Sequence, residues 1–353
     1  MATFVWIALL TALSSGVLTH LLAGLARRRG YFLPKIRPRD YHTHPIPRVG
    51  GIAVVVSFLS AVTITYFAKP ELLQFTDERV WGVDRNLLGL ILGVIILSAV
   101  NVIDDYRPIP WAPRLLFQII AALVIAFFGI KIQWLSNPFG PPLALGGFDW
   151  AFVVIWLVSV GNVVNWLDGV DGLAGGVAAI AVAVLFYLSL SPTVEQPQNA
   201  LLAAIVFGAV IGFLPFNFGG RAFLGDTGSV FLGFAIGVMA IISGGKVATA
   251  FLVLAIPFLD ALVVLFLRLL KGQSPFLPDH RHLAHRLVEI GLKRWQINGI
   301  FYGAALLFGL IALNTQTLGK FWALLAALVV MAALISFYSL AQTRKSDHDR
   351  TKP

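Results

Sequence analysis

The chain contains no cysteine and only three methionines among its 353 residues. Disulfide bonds and thiolate metal sites are therefore excluded, while the redox compartment stays undetermined. Charge is also scarce, because Asp, Glu, Lys and Arg together make up 12% of the chain. Soluble domains carry about twice that share of charged residues. This shortage excludes an ordinary water-soluble domain.

Apolar residues fill the space that charge leaves, at 58% of the chain with a mean hydropathy of +0.85. Uncharged runs long enough to cross a bilayer recur along the whole length. They predict an all-α polytopic membrane protein with about eleven transmembrane helices. The predicted spans are residues 2–25, 49–68, 87–103, 114–131, 150–166, 173–190, 199–217, 227–245, 247–268, 297–314 and 320–341. Residues 1–343 form one membrane domain and 344–353 a polar cytoplasmic tail.

The first apolar run is interpreted as a retained span rather than a signal peptide. No basic segment precedes it, and Arg27, Arg28 and Arg29 follow it directly. A signal peptide carries its positive charge before the apolar run, whereas charge after the run is typical of a stop-transfer segment.

The basic residues indicate an orientation. With the N-terminus outside and strict alternation, most of the 26 Lys and Arg fall in cytoplasmic loops. The outside loops keep only Lys69, Arg79, Arg85, Lys131, Lys246 and Lys320. This asymmetry predicts an outside N-terminus and a cytoplasmic C-terminus. It also accounts for the net charge of +9 without a nucleic-acid partner.

Polar clusters emerge only on the predicted cytoplasmic face. They are "NVIDDYRP", "NVVNWLDGVDG", "FNFGGRAFLGDTGS" and "LKGQSPFLPDHRHLAHRL". One-sided chemistry favours an enzyme that meets a cytosolic substrate. A transporter more often has its polar site near the middle of the membrane, between internal repeats, and no such repeat is visible.

Asp104 and Asp105 end the third span, where adjacent carboxylates are energetically unfavourable. Such a pair is suited to binding Mg²⁺ or to phosphate chemistry. The alternative is an interfacial anchor neutralised by Arg107.

The segment "NVVNWLDGVDGLAGG" concentrates two amides and two carboxylates after an apolar run. These are Asn162, Asn165, Asp168 and Asp171. On one straight helix the first and last would lie on opposite faces, so we expect Gly169 and Gly172 to break the helix. Ordinary helix capping explains one or two of the four residues but not all of them.

Two later segments add candidates. Asp226-Thr227 is typical of a helix start, where backbone N–H groups favour phosphate, although Asp226 as a simple N-cap is the alternative. Phe223 is either a stacking platform or an interfacial anchor. The cluster of His280, His282, His285, Arg281 and Arg286 favours anion recognition over zinc, with contact to anionic lipid as the alternative. Asp260 is an intramembrane carboxylate without a readable partner.

These motifs, in this order, resemble the polyprenyl-phosphate N-acetylaminosugar-1-phosphate transferase family of the glycosyltransferase family 4 type. The resemblance extends from "HTHPIPRVGG" to "PDHRHLAHRL" and is greatest to the bacterial undecaprenyl-phosphate GlcNAc-1-phosphate branch. Phospho-MurNAc-pentapeptide transferase is the alternative within the family, and a lipid or solute transporter is the alternative from another class. At two positions where relatives often have basic residues the chain has Asp40 and Ala112, so of two basic residues that relatives often space two apart after the carboxylate pair only the second, Arg114, remains.

The resemblance implies a multi-pass enzyme of the bacterial plasma membrane with its active site on the cytoplasmic face. A UDP-N-acetylaminosugar, most simply UDP-GlcNAc, would donate its sugar-1-phosphate to a polyprenyl phosphate, release UMP and initiate a surface glycan. Mg²⁺ is the expected cofactor, with Mn²⁺ as a substitute. The partners are these two substrates and the membrane, with no nucleic acid and with homodimerisation left open.

The resemblance also implies a role for each candidate residue. Asp104, Asp105 and Asp168 would be catalytic, either Asp104 or Asp105 could act as base, and a covalent aspartyl intermediate is the rival mechanism. Asp226 and Asn165 would bind the metal. Substrate binding would fall to Asn162, Asp171, Asn217, Phe223, Arg281, His282, His285 and Arg286. Asn165, Asp226 and the Asp104-Asp105 pair are then expected to meet around one ion.

Overall fold

The structure is a computed structural model that describes residues 1–34, 44–244, 246–273 and 282–350; at 341 and 343–350 it describes the backbone alone. Within these ranges the chain is almost entirely helical. The helices are α1 (Ala2–Arg29), α2 (Gly50–Ala68), α3 (Arg85–Tyr106), α4 (Trp111–Phe127), α5 (Asp149–Trp166), α6 (Leu173–Leu190), α7 (Pro197–Phe218), α8 (Gly225–Ile242), α9 (Val247–Val253), α10 (Ala255–Leu270), α11 (Leu283–Glu289), α12 (Arg294–Asn314) and α13 (Thr317–Arg350). The all-α prediction is confirmed.

Two antiparallel hairpins and two 3₁₀ turns complete the described secondary structure. The first hairpin pairs β1 (Arg79–Val80) with β2 (Val83–Asp84), and the second pairs β3 (Trp134–Leu135) with β4 (Leu143–Ala144). They lie in the α2–α3 and α4–α5 connections, at the end of the molecule opposite the polar clusters.

Nine of the described helices are long and apolar enough to cross a membrane, and a tenth span results if α9 and α10 count as one. These two helices meet at 79°. Pro257 explains the break, because its nitrogen cannot donate to the carbonyl of Val253 and its ring crowds that residue. The sequence predicts one span over 247–268, and the structure divides this segment into two helices.

Helix α4 is the remaining predicted span. It has 17 residues, at the lower limit for crossing a bilayer. Arg114, near its start, contacts Asp104 at the end of α3, so α4 begins on the face where α3 ends. Asp168, just after α5, also lies at this face, because it accepts a hydrogen bond from the amide of Gly225 at the start of α8. Because both α3 and α5 end here, the chain must return across the membrane between them, and α4 is that return path.

Helix α8 lies at the centre of the bundle. In its most apolar 18-residue segment 89% of the residues are buried, whereas the share is 17% in α1 and in α13. Helix α2 approaches it so closely that a Cβ on Gly51 would lie 2.2 Å from the backbone nitrogen of Gly228. Glycine at this crossing lets the first turn of α8 sit in the core, where neighbouring helices can direct side chains at it.

The last helix runs across the predicted boundary between the membrane domain and the polar tail. Helix α13 continues through Arg350, without a break at the predicted start of the polar tail at residue 344. The division into a membrane domain and a tail stays a prediction.

Candidate active site

Asp105 caps the first turn of α8 from a different helix. Its Oδ1 accepts from the backbone amide of Asp226 at 2.9 Å, and its Oδ2 accepts from the amide and hydroxyl of Thr227 at 2.9 and 2.7 Å. The first amides of a helix have no partner within it, and a carboxylate there also interacts favourably with the helix dipole. Gly225 permits the approach, because it has a φ of +69° and a Cβ would lie 2.6 Å from Asp105 Oδ1.

Arg114 joins two further carboxylates. Its Nη1 lies 3.0 Å from Asp104 Oδ2 and 2.6 Å from Asp226 Oδ2. The other oxygen of Asp104 accepts from the backbone amide of Ile109 at 2.7 Å. Helices α3, α4 and α8 are therefore connected through one guanidinium group at the membrane boundary.

Asp168 completes the acidic cluster, which consists of Asp104, Asp105, Asp168 and Asp226. It lies in the turn between α5 and α6 and accepts from the backbone amide of Gly225 at 3.0 Å. Desolvation, and then the negative charges of Asp226 and Asp105, raise the pKa of Asp168 well above its ordinary value. Arg48 opposes this shift with its positive charge. A cation that binds beside Asp168 would stabilise its ionised form.

The two asparagines of α5 have different partners. Asn165 donates from Nδ2 to the hydroxyl of Ser229 at 3.0 Å, which places it against the first turn of α8. Asn162, one turn earlier, donates from Nδ2 to Gln118 Oε1 at 2.7 Å and to the Val158 carbonyl at 2.8 Å. Asn165 therefore lies beside the acidic cluster. The bond from Asn162 to Gln118 links α5 to α4, and its bond to Val158 lies within α5.

Asp171 and Asn217 hold backbone and helix in place. Asp171 forms an ion pair with Arg294 of α12, and its carbonyl accepts from the side chain of Asn298 at 2.9 Å. Asn217 accepts on Oδ1 from the amide of Gly172 at 2.6 Å and donates from Nδ2 to the carbonyl of Ala222 at 3.1 Å. We predict both residues to bind substrate, and the structure adds these structural roles.

Gly172 breaks the helix as the sequence predicts, because it adopts a φ of +83° immediately before α6. Gly169 serves a different purpose. A Cβ there would lie 2.6 Å from Nε2 of His285, so the glycine makes room for the imidazole. His285 therefore packs on the turn that carries Asp168.

Phe223 borders the cluster through its backbone. Its amide donates to the carbonyl of Pro47 at 2.9 Å, and its carbonyl accepts from the amide of Gly50 at 2.9 Å. The segment before α2 is thereby fixed beside the start of α8, and Phe223 itself is half-buried.

His282 provides the partner that the sequence could not assign to Asp260. Its Nδ1 lies 2.9 Å from Asp260 Oδ2, and Asp260 Oδ1 accepts from the amide of Leu283 at 2.9 Å. The imidazole also stacks on the indole of Trp166, with ring centroids 5.3 Å apart. Helix α11 is thus attached both to α10 and to the end of α5.

The two arginines of the histidine segment have different outcomes. Arg286 lies over the ring of Tyr338 on α13, at 5.6 Å from the centroid. This contact directs it towards the periphery of the bundle. Arg281, the other predicted substrate-binding arginine, lies outside the described residues.

The acidic cluster suits a divalent cation in chemistry and charge. Its donors are hard oxygens, and its four carboxylates exceed the neighbouring guanidinium groups of Arg114 and Arg48 by two. In the described part of the chain no three His, Cys, Asp or Glu side chains are already arranged as a metal site. Mg²⁺ does not need three, because it is commonly bound by one or two carboxylates together with substrate phosphates and water.

Sequence reasoning undervalued two basic residues. Arg114 contacts two members of the acidic cluster, and Arg48 influences a third. The available signal for Arg114 was its position ten residues after Asp104, in the first turn of the next span. Arg107, the predicted neutralising residue, instead lies over the ring of Tyr106 at 5.5 Å.

Fold and site together define a class: a polytopic membrane protein whose carboxylates converge at a helix N-terminus on one membrane face. Residues 87–244 match the family model "Glycosyl transferase family 4". That segment runs from α3 through α8 and contains all four carboxylates of the acidic cluster, so this part of the chain is similar to that family.

Similar proteins cover most of the chain. A Bacillus subtilis protein named probable undecaprenyl-phosphate N-acetylglucosaminyl 1-phosphate transferase is 26% identical over 89% of this chain and 85% of its own. The Yersinia pestis undecaprenyl-phosphate alpha-N-acetylglucosaminyl 1-phosphate transferase is 29% identical over 86% and 82%. The Mycobacterium tuberculosis (strain H37Rv) decaprenyl-phosphate N-acetylglucosaminephosphotransferase is 28% identical over 83% and 78%.

Proposed function

We propose that this enzyme transfers N-acetylglucosamine-1-phosphate from UDP-GlcNAc to a polyprenyl phosphate, releasing UMP and initiating a cell-surface glycan. The names of the relatives support the sugar and the class of acceptor lipid. An oxygen of the acceptor phosphate forms a bond to the phosphorus that carries the sugar. The bond between that phosphorus and the bridging oxygen breaks, and the bridging oxygen leaves on UMP.

The observation that carries the proposal is the convergence of the acidic cluster on the first turn of α8. Two phosphate-bearing substrates repel each other, so their reaction needs fixed positive charge and a cation where they meet. Arg114 and Arg48 supply guanidinium groups beside the cluster. The position at the ends of spanning helices lets one substrate approach from water and the other from lipid.

We assign Mg²⁺ to Asp226 and Asp168, with Asn165 beside them and Mn²⁺ as a substitute. When bound, the cation would neutralise charge that develops on the phosphate oxygens. Asp226 is favoured because its negative charge acts on Asp168, and Asp168 is favoured because burial and the charges of Asp226 and Asp105 raise its pKa. Asn165 is held against Ser229 at 3.0 Å, so its position is fixed relative to Asp226.

Asp105 acts as a positioning residue under this proposal. Both of its oxygens already accept hydrogen bonds from the first turn of α8, which argues against its use as a nucleophile. A base is also dispensable, because the second pKa of a phosphate ester is about 6 and the acceptor is mostly ionised at neutral pH. Geometry and charge compensation then supply most of the rate enhancement.

We assign the active site to the cytoplasmic side of a bacterial plasma membrane. The contacts of Asp104, Asp168 and Asp226 bring the ends of α3 and α5 and the starts of α4 and α8 to one face. The distribution of Lys and Arg supports the cytoplasm as the compartment on that side. UDP-sugars are water-soluble and charged, which is consistent with this placement.

The test is release of UMP from radiolabelled UDP-GlcNAc by the purified protein with undecaprenyl phosphate. We expect release that depends on both Mg²⁺ and lipid, and lost on omission of either. UDP-GalNAc in a parallel reaction tests the choice of sugar. Uptake of substrate into vesicles without UMP release would contradict the proposal and favour a transporter.

A further inference from the structure

A cavity of about 550 Å³ lies on the far side of the turn that carries Asp168. It is formed where α6 and α12 begin and α7 ends, at the boundary of three spanning helices. Its lining includes Asp171, Phe218, Arg294, Trp295, Asn298 and Tyr302. Its volume is typical of small-molecule and cofactor sites.

One polar atom of the lining lacks a partner within the described residues. This atom is Oδ1 of Asn298, a residue that is 5% exposed. The orientation of the amide is fixed, because its Nδ2 donates to the carbonyl of Asp171 at 2.9 Å. A buried acceptor without a donor costs about 1–3 kcal/mol, so the site favours a ligand that brings an N–H or O–H group.

The cavity is lined by one negatively charged and one positively charged side chain. The carboxylate of Asp171 is 9% exposed, and its partner Arg294 is 41% exposed at the side chain. A ligand that carries both a cation and an anion can match this pair without leaving a net charge behind. An ammonium group suits Asp171 and the free acceptor of Asn298, whereas a phosphate suits Arg294.

The apolar part of the lining indicates where such a ligand comes from. Phe218 is 52% exposed and Trp295 is 69% exposed, both at the ends of spanning helices. Aromatic side chains at this depth are typical of the membrane interface. The ligand is therefore amphipathic, with its charged group beside Asp171 and Arg294 and its apolar part over the aromatic rings.

From these features we propose that the cavity binds an aminophospholipid, with phosphoethanolamine as the headgroup. The ammonium donates to Oδ1 of Asn298 and to the carboxylate of Asp171. The phosphate accepts from Arg294, and the acyl chains lie over Phe218 and Trp295. A polyprenyl phosphate does not match this cavity, because it has no ammonium to donate to Asn298.

Binding here would reach the acidic cluster through the backbone. Arg294, Asn298 and Tyr302 lie at successive turns of α12 and all contact Asp171 or Gly172. The same turn carries Asp168 on its other side. A bound aminophospholipid is expected to stiffen this turn, so the inference concerns a lipid that supports the enzyme without being consumed.

The test compares lipid binding to delipidated protein in detergent, by native mass spectrometry and by thermal unfolding. Dioleoyl-phosphatidylethanolamine should bind and raise the unfolding midpoint, and dioleoyl-phosphatidylglycerol should bind roughly tenfold less well, since it leaves the Asn298 acceptor without an ammonium. Asn298→Ala should lose this preference. Asn314→Ala, at the other end of α12, is the matched control and should keep it.

Equal binding of the two lipids to the wild type would overturn the assignment of the amine. Absence of binding, or a preference that persists in Asn298→Ala, would overturn the site. If Asn298→Ala fails to fold, Arg294→Gln is the second variant, because this side chain is partly exposed and should tolerate the change. It removes the proposed phosphate partner, so it should weaken the binding of both lipids, and unchanged binding would overturn the site. These lipid measurements need no substrate, so they do not depend on the outcome of the UMP assay.

Discussion

Asp168 and Asp171 lie on the same turn, yet the structure gives them opposite surroundings. Asp168 accepts a hydrogen bond from Gly225 and faces two other carboxylates, with Arg48 as the opposing charge. Asp171 is paired directly with Arg294, and its backbone is held by Asn298. The comparison teaches that the packed neighbour, rather than the motif, decides whether a carboxylate is left available for chemistry or used for structure.

The largest effect is expected on the side of the acidic cluster. Asp226→Asn should lower UMP release at least about 100-fold, because it removes a charge that both Arg114 and the proposed cation use. The assay is steady-state turnover over a range of Mg²⁺ concentrations. Asp149→Asn, at the opposite end of the bundle beside Lys131, is the matched control and should retain activity. Mg²⁺-dependent turnover near the wild-type level in Asp226→Asn would remove this residue as a metal ligand.

A second effect concerns the cap of α8. Asp105→Asn keeps the shape of the side chain but turns an N–H₂ group towards the backbone amide of Asp226 or the amide of Thr227. We expect a loss of about 1–3 kcal/mol in stability, together with reduced turnover. Thermal unfolding in detergent measures the first quantity. An unchanged midpoint would mean that the cap contributes little to the fold.

The comparison itself is tested by two substitutions of opposite expected sign. Asp168 has a raised pKa, so its ionisation opposes folding, and this penalty grows as pH rises from its ordinary pKa towards the raised one. Without substrate or metal, Asp168→Asn should therefore raise the unfolding midpoint at neutral pH and lose the difference near pH 4. Asp171→Asn should lower the midpoint, with a loss of about 1–2 kcal/mol in the free energy of unfolding, a moderate value because Arg294 is partly exposed.

Both variants are followed by thermal unfolding between about pH 4 and 8, a range that begins near the ordinary pKa of Asp and extends above neutrality. Shifts of the same sign at neutral pH would show that the two carboxylates do not differ as described.

The smallest effect is expected at Arg286. Its guanidinium lies over Tyr338 rather than beside the acidic cluster. Arg286→Ala should lower stability by about 0.5–1 kcal/mol and change the KM for UDP-GlcNAc less than about threefold. A tenfold rise in KM with unchanged kcat would restore the substrate-binding role that the sequence suggests.

Sequence reasoning was most successful where the determining interactions are local. Apolar runs marked nearly every spanning helix, and the helix break at Gly172 was predicted from the polar residues around it. The start of α8 at Asp226-Thr227 was also predictable, because helix starts have local signals.

Sequence reasoning was weaker where a residue's partner lies far along the chain. The partner of Asp171 is 123 residues away, and that of Asp260 became clear only when α11 was placed beside α10. The capping of α8 by Asp105 was missed for the same reason, because Asp226 lies 121 residues further along the chain. No periodicity or spacing encodes such pairings, since they arise from the packing of helices.

The hydrogen bonds of Asp105 have a consequence for how the protein is made. The amide of Asp226 lies 121 residues further along the chain, so at 5–20 residues per second it is synthesised roughly 6–24 seconds later. The partner of Asp104 is synthesised much sooner, because Arg114 follows it by ten residues. Early in biogenesis, α3 and α4 can insert as a hairpin with one carboxylate paired. The second carboxylate acquires its partners only when α8 enters the bundle, so the pairing of Asp105 marks the arrival of α8.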